Sequence, residues 1–258
     1  MDFRERIVKT ETLAKDIHLI RIRSEQITGK AVPGQFVNVR CSNGLDAYLR
    51  RPISICSVCP TDKTFDIVYM KRGKGTSLLC GFCEGDMIDV IGPLGSGFTM
   101  PSAGEKIAVV GGGIGIFPLL YLLESCNGVN KTAFLGFRSK DAVVMKDAFE
   151  YASNKLVVAT DDGTFGVKGF VTKPFFDWLN VNRPDRVYTC GPLPMIKSVA
   201  EHCVKKKIFC EVSMEQRMGC GIGACLVCSC KVKEGPDFDY ARVCKDGPVF
   251  PAEKLIFE

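Results

Sequence analysis

Four cysteines near the C-terminal end constrain this chain more than any other feature. Cys220, Cys225 and Cys228 lie in one short loop, and Cys244 follows after a longer gap. Residues 210–258 are dense in cysteine and glycine and too few to bury a core unaided, so a metal staple would explain how they fold. The spacing C-x4-C-x2-C with a distant fourth cysteine is that of a [2Fe–2S] site. Two irons need four thiolates, and one loop can wrap three of them. Gly221, Gly223 and Ala224 leave backbone amides uncovered, free to point at sulfur and favour the more negative reduced state. A four-cysteine zinc site is the alternative, although zinc modules usually show two C-x2-C pairs. Cys230 forms a local C-x-C with Cys228; strand alternation would turn it away, and it is left out of the ligand set.

The chain has 258 residues, fourteen of them cysteine, and a formal charge of +5. That length needs no disulfides for stability, and Met1–Arg6 mixes acids and bases without an apolar signal core, so reduced thiols and a cytoplasmic location are expected. Cys41, Cys56, Cys80, Cys126 and Cys203 sit singly in apolar surroundings and read as small packing residues. The longest apolar run, Ile107–Leu123, holds four glycines and a proline and reads as strand, turn and helix rather than a membrane span. Lys205–Lys207 reads as a solvated helix end. Nothing points to nucleic acid.

Residues 1–100 read as a β-barrel or sandwich, with short Val-, Ile- and Phe-rich strands at Gln35–Cys41, Ile53–Val58, Phe65–Lys71 and Met87–Ile91 and a short helix near Gly75. Residues 101–209 alternate strands with helices, the pattern of a parallel α/β sheet. Arg51-Pro52-Ile53-Ser54 offers a phosphate clamp and a hydroxyl for a flavin edge, and Gly75-Thr76 opens a helix whose first amides can meet an anion. The turn Gly111–Ile116 lies between strand and helix but departs from G-x-G-x-x-G and lacks the acidic residue about 20 positions on. Cys190-Gly191-Pro192 is a second strand-to-helix turn at the carboxyl edge of the sheet, where such sheets bind ligands. His18 and His202 read as structural or solvent-facing, and Asp161 and Asp162 as a solvated turn.

Together these motifs resemble the ferredoxin-reductase family of flavoproteins. Its R-x-x-S strand matches Arg51 and Ser54, its glycine-led helix matches Gly75 and Thr76, its G-G-x-G-x-x-P turn matches Gly112–Pro118, and its C-G-P turn matches Cys190–Pro192. Within it the chain is similar, over essentially its whole length, to the electron-transfer subunits of class B dihydroorotate dehydrogenases. Met218–Cys225 and Arg242–Phe250 carry that likeness most specifically, with Pro33–Phe36, Gly92–Gly95 and Thr160–Gly163 in support.

The resemblance implies a ferredoxin-reductase-like fold: an FAD-binding β-barrel (1–100), an NAD-binding α/β domain (101–209) and a [2Fe–2S] module (210–258). It implies cluster ligands Cys220, Cys225, Cys228 and Cys244. FAD contacts fall at Arg51, Pro52, Ile53, Ser54, Val68, Tyr69, Met70, Gly75 and Thr76. NAD contacts fall at Gly112, Gly113, Gly115, Cys190, Gly191 and Pro192. No residue is assigned as catalytic; Cys190 is a candidate beside the nicotinamide. Cys59 and Cys230 are extra thiols. Electrons would pass from the FMN of a dihydroorotate dehydrogenase catalytic subunit through [2Fe–2S] and FAD to NAD+, in de novo pyrimidine (UMP) biosynthesis. The assembly implied is a cytoplasmic heterotetramer of two catalytic and two electron-transfer subunits. The alternatives are a ferredoxin-, sulfur- or NADP-linked relative, in which Arg138 would meet a 2′-phosphate, and a colourless zinc-stapled interaction subunit. A stand-alone NADH-dependent flavin reductase would not need the four cysteines.

Overall fold

A computed structural model of the chain describes residues 4–42, 44 and 46–257. Met1–Phe3, the start of the segment searched for a targeting signal, lie outside the described residues. Six antiparallel strands close into a barrel: β1 (Arg4–Ala14), β2 (Ile17–Arg23), β3 (Phe36–Val39), β4 (Arg51–Cys59), β5 (Thr64–Met70) and β6 (Met87–Leu94), in the order β1-β2-β5-β4-β3-β6. Ile20, Ile22, Val37, Val39, Ile55 and Ile67 fill its interior. The short helices α1 (Glu25–Thr28) and α2 (Lys74–Leu79) flank it. The strands expected at β3 to β6 and the helix near Gly75 are present. β1 and β2 lie outside the strand segments read from the sequence; β1 carries charged and polar residues along most of its length and buries only Ile7.

The second layer is a seven-stranded sheet. Its strands are β7 (Lys106–Gly112), β8 (Asn130–Phe137), β9 (Lys155–Thr160), β10 (Val167–Lys168), β11 (Arg186–Cys190), β12 (Phe209–Ser213) and β15 (Val249–Pro251), ordered β10-β9-β8-β7-β11-β12-β15. All pair in parallel except β15, which returns antiparallel to β12. Alternation along β7 and β8 splits the core. Val109 and Leu135 face α3 (Phe117–Ser125) and α4 (Lys146–Ala152); Val110 and Phe134 face α5 (Thr172–Leu179) and α6 (Leu193–Lys205). Every residue from Phe117 to Leu123 is buried, because α3 lies between sheet and barrel. The apolar run therefore folds as strand, turn and helix, as expected.

The third unit adds a hairpin, β13 (Ser229–Glu234) with β14 (Asp237–Arg242), to the cysteine loop. β12 straddles the expected 209/210 boundary, and β15 takes a strand from the third unit into the nucleotide sheet. Cys41, Cys56, Cys126 and Cys203 are buried packing residues, whereas Cys80 is exposed, contrary to expectation. It caps α2, its thiol donating to the carbonyl of Thr76 at 3.3 Å. His18 stacks on Tyr69 and His202 on Phe176. Among the described residues no helix is long and apolar enough to cross a membrane.

Candidate cofactor sites

The cysteine loop wraps its own sulfurs. The amides of Ile222, Ala224 and Cys225 donate to Cys220 Sγ at 3.4, 3.3 and 3.4 Å. Gly223 N donates to Cys244 Sγ at 3.1 Å, and Cys244 N to Cys228 Sγ at 3.4 Å. Gly221 and Gly223 hold φ of +75° and +83°, which lets the loop curl around the thiols at no steric cost. Burial disfavours the Cys220 thiolate, yet those amides and the Cys225 thiol outweigh it and bring Cys220 down to about 6. Burial, reinforced by the neighbouring Cys228, pushes Cys244 up to about 12.

Gly223 N on Cys244 Sγ and Cys244 N on Cys228 Sγ hold the Cys244 segment against the loop that carries Cys220, Cys225 and Cys228. Among the described residues no three metal-binding side chains converge on one ion. Four thiols in the spacing C-x4-C-x2-C with a distant fourth are the donor set of a binuclear cluster, and the loop amides aimed at their sulfurs suit its negative charge, so the residues present fit [2Fe–2S]. Cys230 lies inside β13 opposite Ala241, and burial holds its thiol up at about 11. Arg242 ties the two ligand segments together. It binds Asp246 through Nε (2.9 Å) and Nη2 (3.0 Å), and the Gly223 carbonyl through Nη1 (3.2 Å).

A groove of about 740 Å³ runs beside this loop, with Tyr48, Leu49, Arg51 and Pro52 on the barrel side and Glu215–Met218 opposite. The two adjacent arginines divide their roles. Arg50 is committed to Asp89 at 2.6 Å, while Arg51 donates through Nη1 to the Leu49 carbonyl and lies over the start of α2, where a Cβ on Gly75 would come within 2.5 Å of its Nε. Glycine thus lets the guanidinium approach first-turn amides that have no partner within the helix. A guanidinium over uncommitted amides is a cradle of the right chemistry for an FAD phosphate. Ile53 is buried and Ser54 half-buried on the same strand. Val68 and Met70 pack toward the nucleotide domain, and the Tyr69 ring turns into the barrel, where its hydroxyl donates to Cys80 Sγ at 3.7 Å. Those three side chains are not gathered with Arg51.

The two glycine turns of the sheet pack on each other. A Cβ on Gly115 would lie 2.5 Å from Gly191 Cα, and one on Gly112 would lie 2.8 Å from Pro192 Cδ. Gly113, at φ +56°, has open space where a side chain would go. Cys190 is half-buried at the carboxyl edge of the sheet, and desolvation pushes its thiol up to about 12. Asp162 is occupied in its own turn by Thr164, and Arg138 is exposed at the end of β8. Asn38 is not marked by any sequence motif, and Arg242, part of the Arg242–Phe250 segment that carries the likeness, gains a structural role only here; the place of both beside the cysteine loop marks them.

A closed antiparallel barrel, a parallel α/β sheet and a four-thiol loop between them define a ferredoxin-reductase-like protein. Solved structures agree. An NADH-dependent reduced ferredoxin–NADP oxidoreductase, described for flavin-based electron bifurcation, is 31% identical with a TM-score of 0.86, covering 98% of this chain and 90% of that one. A ferredoxin NADP+ reductase from Neisseria gonorrhoeae with bound FAD and NADP shares the fold at 18% identity and a TM-score of 0.63, covering 78% and 90%. Residues 215–256 match the family model for the iron–sulfur cluster binding domain of dihydroorotate dehydrogenase B. The dihydroorotate dehydrogenase B (NAD(+)) electron transfer subunit of Bacillus cereus (strain Q1) is 40% identical over 255 residues, 97% of this chain and 96% of that protein. The chain belongs to the family of dihydroorotate dehydrogenase B electron transfer subunits.

Proposed function

We propose that this chain carries electrons from the FMN of a dihydroorotate dehydrogenase catalytic subunit, through [2Fe–2S] and FAD, to NAD+ in pyrimidine biosynthesis. The observation that carries the reading is the adjacency of the two cradles: the groove holding Arg51 is closed on its other side by Glu215–Met218, the segment leading into the cluster loop. Three working units follow boundaries near residues 100 and 210, with β15 returning to the nucleotide sheet. When bound, FAD supplies the exchange between two-electron hydride chemistry and one-electron chemistry that a nicotinamide and an iron–sulfur cluster require.

The protein's own residues place and insulate. Arg51 and the Gly75 and Thr76 amides hold phosphate, while Pro52, Ile53 and Ser54 line the flavin strand, with the backbone of Val68–Met70 beside it. Cys220, Cys225, Cys228 and Cys244 supply the thiolates, and the loop amides stabilise their negative charge. Gly112, Gly113 and Gly115, stacked on Cys190–Pro192, form the flat platform over which NAD lies. Ile222, Leu226 and Val227 leave the cluster loop exposed and apolar, as expected of the face that meets the catalytic subunit. A cytoplasmic heterotetramer of two catalytic and two electron-transfer subunits is the proposed assembly.

The test mixes the anaerobically purified chain with an FMN-bearing dihydroorotate dehydrogenase catalytic subunit from the same cell and follows NADH formed from dihydroorotate and NAD+. NADH arising only with both proteins supports the reading. Loaded proteins that form none contradict it. They would favour an NADP- or ferredoxin-linked relative, a second reading supported by the oxidoreductase of TM-score 0.86 and by the exposed Arg138.

A further inference from the structure

The outer face of β3 carries two residues with different fates. Val37 and Val39 point into the barrel, while Phe36 belongs to the outer core that also holds Cys228, Val243, Cys244 and Phe250. Asn38 shares that outward side, and it is 1% exposed. A barrel strand normally turns its polar residues to water. Here the cluster loop covers the position and makes the amide a buried polar group, which is costly unless it is bonded.

Asn38 is bonded on one side only. Its Nδ2 donates to the carbonyl of Cys220, the first cysteine of the loop, at 3.1 Å. Its Oδ1 is buried without a partner. The next residue, Gly221, lies so close that a Cβ there would collide with Asn38 Nδ2. The backbone around Asn38 is firmly held. It pairs with Pro52 of β4 and Ile91 of β6, and its carbonyl accepts from Arg50, which is itself fixed by Asp89. One side chain therefore joins the strand beside Pro52 and Arg51 to the backbone of a cluster ligand.

We infer that Asn38 is the positioning residue that sets the cluster loop at its distance and orientation from the flavin strand. This rests on the flavin and iron–sulfur reading given above and extends it from the ligands to the joint between the two centres. Asn38 is buried within the chain and acts through the Cys220 carbonyl. The consequence is a split between two reactions of the same molecule: NADH oxidation by ferricyanide, which needs only the flavin, and reduction of the cluster by NADH, which needs the joint.

The experiment uses the holoprotein and its Asn38→Ala and Asn38→Asp variants, with flavin and iron–sulfur absorbance read first. Stopped-flow reduction by NADH gives the cluster rate, steady-state ferricyanide reduction gives the flavin rate, and EPR gives the reduced-cluster signal. The ratio of cluster rate to flavin rate should fall by about tenfold or more in Asn38→Ala, given what small misplacements cost. The EPR g-values should shift, and amide exchange at 221–225 should quicken roughly tenfold on loss of one buried hydrogen bond. Asn38→Asp, which keeps the shape and loses the donor, should show the same direction. An unchanged ratio and EPR signal would overturn the inference. So would an equal fall in both rates, which would make Asn38 a prop of the flavin barrel. A wild-type protein lacking flavin and iron–sulfur absorbance would sink this inference together with the reading beneath it.

Discussion

The nucleotide sheet and the cysteine module are neighbours held by different physics. The sheet is sealed on both faces: Phe134, Tyr188, Phe149 and Phe175 are fully buried, and aromatic pairs such as Phe134 with Phe175 and Trp178 interlock. The module has little of this. Ile222, Leu226, Val227, Phe238 and Tyr240 lie more than half exposed, and apart from the buried Cys228, Val243 and Cys244 its loop is ordered by amides on sulfur, by Arg242 and by the Asn38 amide. Hydrophobic burial needs no cofactor, whereas a sulfur-centred loop depends on what the sulfurs hold. The first region should survive cofactor loss and the second should not.

Removing one ligand should open this contrast furthest. Cys228→Ser or Cys244→Ser should abolish the iron–sulfur absorbance and dihydroorotate-dependent NADH formation, and limited proteolysis should then cut between 214 and 248. NADH-dependent ferricyanide reduction should persist. Simultaneous collapse of both regions, seen as one melting transition shifted far down, would show that the barrel and sheet depend on the module.

The opposite cut is Phe134→Ala. Emptying that site should cost about 3–5 kcal/mol of global stability, read by chemical denaturation, while the cluster spectrum of the folded fraction stays unchanged. Arg51→Ala tests the groove between the regions. Loss of a charge-assisted contact of about 1.5–3 kcal/mol should weaken FAD binding roughly ten- to a hundredfold by equilibrium dialysis, without changing the cluster signal.

Much of this contrast is legible in the sequence, for unequal reasons. The cysteine spacing and the glycine turns are local signals; in the fold the bond from Gly223 N to Cys244 Sγ brings the Cys244 segment against the loop of Cys220–Cys228, and the Gly112–Gly115 and Cys190–Pro192 turns stack. The division of Arg50 from Arg51 is not legible, since Asp89, which claims Arg50, lies on another strand. β15 escaped notice because a three-residue strand gains its identity only by pairing with β12. Asn38 reads as an ordinary solvent-facing residue in Phe-Val-Asn-Val, and only the fold reveals that the cluster loop covers it.

The smallest effect concerns acid. Arg242 holds the Asp246 carboxyl below its ordinary range. A carboxyl depressed in the fold stabilises it above the unfolded pKa of about 3.9 and loses that contribution as pH falls through the lower folded value. Cluster retention should therefore weaken on acidification below about pH 4. Asp246→Asn should show the weakened retention already at neutral pH and a flatter dependence below it.

The central claim is that one chain holds a flavin and an iron–sulfur centre in contact across the Arg51 groove. The most direct measurement is anaerobic titration of the purified chain with NADH, followed by absorbance and EPR together. Flavin bleaching accompanied by the rhombic EPR signal of a reduced [2Fe–2S] cluster is the expected result. Bleaching of the flavin with a cluster that accepts electrons only from dithionite would contradict the account.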